Sequence, residues 1–160
     1  MDKLLKILES NARLDNKKIA AMLGETEEAV QAAIEAYEAQ GVICGYKTII
    51  DWDKTDRHYV IARIELKVQP KRDMGFEEIA NRIAQLEEVE SVFLMSGGYD
   101  LALTVSGKTF KDVAMFVAHR LAPLESIQST ATHFVLRKYK ERGLILSDES
   151  RQDEREDSTL

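Results

Sequence analysis

Two adjacent glycines and an aspartate occur where two apolar, strand-like segments meet, in the stretch MSGGYDLALTVSG at residues 95–107. Gly97 and Gly98 tolerate the positive φ angles that a tight hairpin turn requires. The turn does not by itself require Asp100 at the start of a core strand. Asp100 therefore either stabilises the turn through a local hydrogen bond or faces a ligand. In the second case its carboxylate could accept a hydrogen bond from the ligand's ammonium group.

Histidine and cysteine offer few further candidates for chemistry. The chain has three histidines, His58, His119 and His133, which the predicted elements scatter over two strands and one helix. Because the His/Cys spacing of a metal site is missing, the sequence predicts no catalytic site, no metal site and no cofactor. Cys44 is the only cysteine, which excludes a disulfide within the chain, and we expect it to be a small buried residue.

The composition is typical of a soluble globular protein. The 160 residues are 44% hydrophobic and 31% charged, and no apolar run reaches the roughly 20 residues that a membrane helix needs. A reducing cytoplasm is the expected location, because the N-terminal segment is too polar for a secretory signal. The net charge is −6, and residues 141–160 hold seven acidic but only three basic residues. We expect residues 143–160 to form an acidic, solvated and mobile tail.

The first fifty residues have the apolar period of helices. Asp15 and Thr26 are candidate N-caps of the second and third helices, and a short link containing Gly24 separates these two helices. The expected apolar stripes are Leu4, Leu5, Ile7 and Leu8; Ile19, Ala20, Met22 and Leu23; and Val30, Ile34 and Tyr37. The pattern predicts a helix-turn-helix DNA-binding domain at residues 1–45 and a linker at 46–57, although a plain three-helix adaptor would have a similar pattern.

After Arg57 the apolar period falls from about 3.6 residues to 2, which is the period of a strand. The apolar face of the first strand is Val60, Ala62, Ile64, Leu66 and Val68, and two helical stripes follow at Phe76, Ile79, Ala80, Ile83 and Leu86 and at Phe110, Val113, Ala114, Val117 and Leu121. The order of elements at residues 58–142 is βαββαβ, a ferredoxin-like arrangement. The chain is therefore predicted to belong to the α+β class.

In a ferredoxin-like domain both helices cover the same face of the sheet. The other face is expected to expose Tyr59, Ile61, Phe93 and Met95. An apolar patch of this kind usually marks a surface of association. We therefore expect a dimer or a larger assembly.

The helix-turn-helix, the link GVICGYKTIIDWDK, the turn motif Gly-x-Tyr-Asp and the last strand SIQSTATHFVLRKYK together resemble the Lrp/AsnC family of feast/famine transcriptional regulators, over residues 1–142. The resemblance implies a homodimer formed through the C-terminal domains, often assembled into a tetramer or octamer. It also implies an amino acid or similar small effector bound at dimer contacts, by the turn and the start of the last strand. The corresponding positions are Ser96, Gly97, Gly98, Tyr99, Asp100, Ser129, Thr130 and Thr132.

The third helix departs from the family's pattern, in which the recognition helix usually carries basic residues. Its stretch GETEEAVQAAIEAYEAQG has five glutamates and no lysine or arginine. Since phosphate neutralisation supplies most non-specific affinity, we expect one copy to bind double-stranded DNA weakly and an oligomer to compensate. The candidate DNA contacts are Lys17, Lys18, Thr26, Gln31 and Lys47.

The sequence thus favours a regulator that binds DNA, responds to an amino acid or related metabolite, and has no membrane partner. Two other interpretations remain open. One is a metabolite-sensing co-regulator that assembles with other family members without binding DNA, although the retained Thr26 and Gln31 oppose it. The other is an enzyme similar to the sirohaem decarboxylases, relatives that share the same two modules. The lack of basic residues in the third helix would suit this role, although the histidines are not gathered as a catalytic site.

Overall fold

The computed structural model describes residues 2–57, 59–70 and 75–146. The chain divides between Ile49 and Ile50 into two compact units, which are described separately below. His58 and most of the predicted acidic tail, residues 147–160, lie outside the described residues. In the described part of the chain, no helix is both long enough and apolar enough to cross a membrane.

The N-terminal unit consists of three helices, α1 (Asp2–Ser10), α2 (Asn16–Leu23) and α3 (Glu27–Ala39). Their buried side chains are Leu4, Leu8, Ile19, Ala20 and Val30. The predicted stripe of α2 is wrong at Met22, which is 63% exposed. The prediction that Cys44 is buried is also wrong, because its thiol lies on the surface within hydrogen-bond distance of the Gly41 carbonyl.

Both predicted N-caps of this unit are confirmed. An Asp15 carboxylate oxygen accepts a hydrogen bond from the backbone N–H of Lys18, and the Thr26 hydroxyl accepts one from Ala29. Gly24 ends α2 in the left-handed conformation at φ 72°, which a residue with a Cβ adopts at a cost. The turn between α2 and α3 is therefore three residues long and capped on both sides.

The C-terminal unit contains a four-stranded antiparallel sheet, in the order β2-β3-β1-β4. Its main elements are a short 3₁₀ turn (Trp52–Lys54), β1 (Val60–Val68), α4 (Phe76–Ala84), β2 (Val89–Leu94), β3 (Leu101–Gly107), α5 (Phe110–Phe116) and β4 (Ile127–Phe134). Alternate residues of β1 and β3 pack with side chains of α4 and α5 in one core. This order confirms the ferredoxin-like prediction.

The second helix of this unit differs from its predicted stripe. α5 continues into a π-helical segment at Val117–Leu121, which shifts the buried face. Phe116 is buried in place of Ala114, while Phe110 is 55% exposed and packs edge-on against the Phe134 ring at 4.8 Å.

A small hairpin of β5 (Lys140–Glu141) and β6 (Leu144–Ile145) follows the sheet. Its turn places Arg142 and Gly143 at positive φ angles. The paired structure thus continues past residue 143, where the sequence predicted the tail to begin. Leu144 and Ile145 are exposed.

Candidate functional site

The turn between β2 and β3 carries the motif that the sequence singles out. Ser96, Gly97 and Gly98 are exposed, whereas Tyr99 and Asp100 are half-buried. Gly97 has φ 155°, and nothing lies within 4 Å of the position that a Cβ would occupy there. The turn therefore requires this glycine for its backbone angle rather than for space.

Asp100 connects this turn to β1. Its carboxylate Oδ2 accepts a hydrogen bond from the Val68 N–H at 2.9 Å, and its own N–H donates to the Leu66 carbonyl at 2.9 Å. Val68 lies where the pairing of β1 with β4 shifts in register. Within the described residues, the second oxygen, Oδ1, accepts no hydrogen bond. Asp100 thus has a structural role in the turn and retains one free acceptor.

The β4 residues of the predicted effector site lie on two faces of the sheet. Thr130 and Thr132 pair with Leu66 and Ile64, two residues of the buried face, whereas Ser129 pairs with the exposed Lys67. Directly opposed residues of an antiparallel pair share a face. Because β1 lies between β3 and β4, the backbones of these two strands are separated by two strand spacings, or about 9–10 Å. The eight predicted residues thus come from two separate segments, the β2–β3 turn and β4, and those of β4 lie on both faces of the sheet.

The uncovered face of the sheet carries a polar row that the sequence analysis missed. Ser91, Thr104, Arg63 and His133 are aligned across the four strands. Thr104 Oγ1 accepts hydrogen bonds from Arg63 Nη1 at 2.8 Å and from Ser91 Oγ at 2.6 Å. Alternation in β1 could have identified Arg63, but only the strand order shows that these side chains meet. The face is therefore mixed rather than apolar.

Of the four residues expected to form an apolar patch there, two are exposed. Phe93 is 52% exposed and Met95 is 39% exposed. The prediction is wrong for Ile61, which is 7% exposed, and Tyr59 is half-buried.

The aromatic group beside Ile61 accounts for part of this burial. Trp52 lies against Tyr59 with ring centroids 6.0 Å apart, and the Arg57 guanidinium lies 4.3 Å from the Trp52 ring. The Tyr59 hydroxyl donates to a Glu90 carboxylate oxygen. Burial has the larger effect on the pKa of Tyr59 and this hydrogen bond the next largest, and both raise it above its usual range. Tyr59 is therefore a neutral donor at pH 7.

The predicted DNA-contacting residues lie on or beside the helix-turn-helix. Lys17 and Lys18 are exposed in the first turn of α2, and Lys47 is exposed beyond α3. Lys18 also lies 3.4 Å from the Asp15 carboxylate. The Thr26 hydroxyl already serves as the cap of α3.

Gln31 belongs to a short polar chain on the surface of this unit. Its Oε1 accepts from Asn16 of α2, and its Nε2 donates to Glu35 at 2.6 Å. With Glu27 and Glu28, these residues border a shallow groove. The exposed surface of α3 is therefore acidic, as its sequence predicts.

The two histidines that the structure describes, His119 and His133, lie on different elements of the C-terminal unit. His119 is exposed in the π-helical segment, and His133 Nε2 lies 3.7 Å from a Glu65 carboxylate oxygen on the sheet. In residues 2–57, 59–70 and 75–146, no group of three or more His, Cys, Asp or Glu side chains is placed to hold a metal ion.

Comparison with known proteins identifies the C-terminal unit. The Lrp/AsnC ligand-binding domain matches residues 61–145, which is more than half of the chain. The chain belongs to the Lrp/AsnC family. An uncharacterised helix-turn-helix transcriptional regulator of Bacillus subtilis, YugG, is 47% identical over 143 residues, covering 89% of this chain and 86% of that protein.

Two solved structures of the Lrp/AsnC fold are complexes with L-methionine. A transcriptional regulator of Neisseria meningitidis matches with a TM-score of 0.70 and 22% identity, covering 87% of this chain and 89% of that one. The feast or famine regulatory protein of Mycobacterium tuberculosis matches with a TM-score of 0.70 and 21% identity, covering 86% and 90%. Curated Lrp/AsnC relatives are named as transcriptional regulators, which sets aside the enzyme interpretation.

Proposed function

We propose that this chain is a DNA-binding transcriptional regulator whose binding responds to an amino acid or a closely related metabolite. The observation that carries the proposal is the presence, in one chain, of a doubly capped helix-turn-helix and of the family's ligand-binding domain. The first module fits the major groove of DNA, and the second supplies a means of regulation.

The contacts to DNA are proposed to be few and mainly to phosphates. Lys17, Lys18 and Lys47 are exposed cations suited to that role. Gln31 supplies an amide that can hydrogen-bond to a base edge, while the Thr26 hydroxyl is already engaged as a cap. Because the acidic α3 opposes phosphate, each motif binds weakly and affinity depends on several motifs acting together.

The assembly is proposed to be a homodimer or a larger homo-oligomer that uses the uncovered sheet face. Phe93 and Met95 offer apolar surface there, beside a polar row that can pair with a second copy. An effector site completed at a contact between copies would also explain why the predicted residues of one copy are separated. The proposed effector contacts are those predicted from the sequence: Ser96, Gly97, Gly98, Tyr99, Asp100, Ser129, Thr130 and Thr132.

The specific effector is proposed to be an amino acid, since L-methionine occupies two solved structures of the same fold. The free Oδ1 of Asp100 can accept from the α-ammonium group. A charge-assisted hydrogen bond of this kind contributes about 1.5–3 kcal/mol, so Asp100→Asn should weaken effector binding roughly 10- to 150-fold. Calorimetric titration of both proteins with the amino acid found by a thermal-shift screen measures this ratio, and equal affinities would limit Asp100 to its structural role.

A co-regulator that does not bind DNA is the second candidate, and the acidic surface of α3 is the observation that favours it. A pull-down of fragmented genomic DNA with the full chain, followed by titration of the enriched fragments at low and moderate salt, separates the two. Enrichment of defined fragments, with affinity altered by an amino acid, supports the regulator. Failure to enrich any fragment at low salt leaves the co-regulator.

A further inference from the structure

A cleft opens in the C-terminal unit at the end of the sheet where β1 begins and β4 ends. Trp52, Ile61, Val135 and Leu146 contribute apolar surface to its lining, and Asp53 and Arg137 contribute charge. These residues come from the 3₁₀ turn, from β1 and from the segment that follows β4. Tertiary structure, rather than any local motif, therefore brings them together.

The aromatic wall of the cleft is held in place by contacts among its own residues and with Arg57. Trp52 packs against Tyr59, and Arg57 lies over both rings, 4.3 Å from Trp52 and 5.1 Å from Tyr59. Ile61 is 7% exposed. A ligand that binds against side chains that are already ordered loses less binding free energy to their immobilisation than one that binds against mobile side chains.

Two charges of the lining are uncommitted. Lys138 pairs with Glu141 at 3.3 Å, and Asp51 pairs with Lys54 at 3.7 Å. In contrast, neither Arg137 nor Asp53 forms an ion pair with any residue that the structure describes. The Arg137 guanidinium lies 5.1 Å from the Tyr139 ring, a contact that leaves its N–H donors available. The cleft thus combines apolar surface with one free cation and one free carboxylate.

We propose that this cleft binds a zwitterionic α-amino acid with an aliphatic or thioether side chain, as a site distinct from the β2–β3 turn. Arg137 would hold the carboxylate, Asp53 the ammonium group, and the apolar wall the side chain. The cleft has a volume of about 40 Å³. A water-sized group needs roughly 10–15 Å³, so the space accepts about three linked heavy atoms, as at the end of a methionine or leucine side chain.

This site and the β2–β3 turn lie at opposite ends of β1. Ile61 borders the cleft, whereas Val68 binds Asp100 at the turn. Seven residues of strand separate them, or about 23 Å. The two sites can therefore be tested independently, and the inference shares its ligand class with the proposed function without depending on DNA binding.

Trp52 is the only tryptophan of the chain, so its fluorescence reports on the cleft directly. The full chain is titrated with L-methionine and L-leucine, with L-glutamate as a polar comparison. We expect a saturable change in emission with the first two and a much weaker response to L-glutamate, whose charged end the apolar wall disfavours.

Two conservative variants test the polar contacts. Arg137→Gln and Asp53→Asn each remove one charge from the lining of the cleft, and each should weaken the fluorescence-detected affinity about tenfold or more. Arg82→Gln, an exposed change on α4, is the matched control and should leave the affinity unchanged. Asp100→Asn should also leave it unchanged, because Asp100 lies at the other end of β1.

A response that persists in Arg137→Gln but is lost in Asp100→Asn would overturn the proposal, and so would the absence of a saturable change up to millimolar L-methionine and L-leucine. If an amino acid altered DNA binding while Trp52 emission stayed constant, the cleft would be rejected and the regulatory function retained. If Trp52 responded specifically to an amino acid but the chain bound no DNA, the cleft would be retained and the regulatory function rejected.

Discussion

The carboxylate of Asp100 lies 2.9 Å from the backbone nitrogen of Val68 and closes one end of the sheet. β3 begins at Leu101, so no β3 backbone carbonyl is paired with the Val68 N–H, and the side chain of the preceding residue supplies the acceptor. A second hydrogen bond, from the Asp100 N–H to the Leu66 carbonyl, fixes the same contact. A side-chain oxygen acceptor at the head of β3 therefore serves the turn, whether or not Asp100 also binds an effector.

This contact predicts different stabilities for two Asp100 variants. Asp100→Ala removes the acceptor and leaves the N–H of the buried Val68 unpaired, which should lower the free energy of unfolding by about 1–3 kcal/mol. Asp100→Asn keeps an oxygen acceptor and should lower it by less than about 1 kcal/mol. Chemical denaturation, monitored by Trp52 fluorescence in the same unit, measures both. Equal losses in the two variants would show that the hydrogen bond to Val68 does not stabilise the fold.

Local features of this fold could be predicted from the sequence, and features that depend on strand order could not. The caps Asp15 and Thr26 bind backbone groups within three residues of their own position, so their residue types were enough to predict them. The bond from Asp100 to Val68 joins residues 32 apart in the chain, and nothing near Asp100 indicates its partner.

The predictions of which side chains are exposed or buried were wrong where distant segments meet or where a helix changes its period. Ile61 has the alternation of an exposed position, but it borders a cleft that the Trp52 segment also lines. That segment has no periodic pattern from which its location could be predicted. Phe110 and Ala114 follow an α-helical stripe, whereas the π-helical segment after Phe116 rotates the buried face. The Arg137 and Asp53 cleft was missed for the same reason, since its residues come from separate segments.

The cap of α2 predicts a pH dependence in the N-terminal unit. The backbone N–H of Lys18 donates to the Asp15 carboxylate and lowers the pKa of Asp15 below its usual value. Because the folded-state pKa is the lower one, this stabilisation is complete above the ordinary aspartate pKa of about 4 and is lost as the pH falls through the lowered value.

Acid titration of helical circular dichroism, in the wild type and in Asp15→Asn, tests this dependence. The asparagine retains the cap but cannot titrate. Between roughly pH 4 and pH 2, the variant should therefore lose less helical signal than the wild type. Identical acid transitions would mean that other carboxylates govern the acid stability of the unit.

The acidic surface of α3 predicts a gain of function in DNA binding. Glu35→Arg replaces a repulsive charge near the proposed interface with an attractive one, and should tighten binding to an enriched DNA fragment and steepen its salt dependence. Glu87→Arg makes the same charge change at an exposed position between α4 and β2 of the other unit, and serves as the control. Fluorescence anisotropy at several salt concentrations gives both quantities. Equal effects of the two changes would show that overall charge, rather than the α3 surface, sets the affinity.

The exposed ring of Phe93 predicts how the chain assembles. Phe93 is 52% exposed on the uncovered sheet face, next to the polar row of Arg63 and Thr104. If a second copy covers this face, Phe93→Glu buries a charge in the contact and forfeits the apolar burial of a phenylalanine, about 1.5–3 kcal/mol. The dimer dissociation constant should therefore rise about tenfold or more. Met115→Glu is the matched control, because Met115 is 45% exposed on α5, on the helix-covered side. Light scattering of the full chain over a range of micromolar concentrations should show dissociation of Phe93→Glu alone, and an unchanged oligomer in that variant would assign the assembly to another surface.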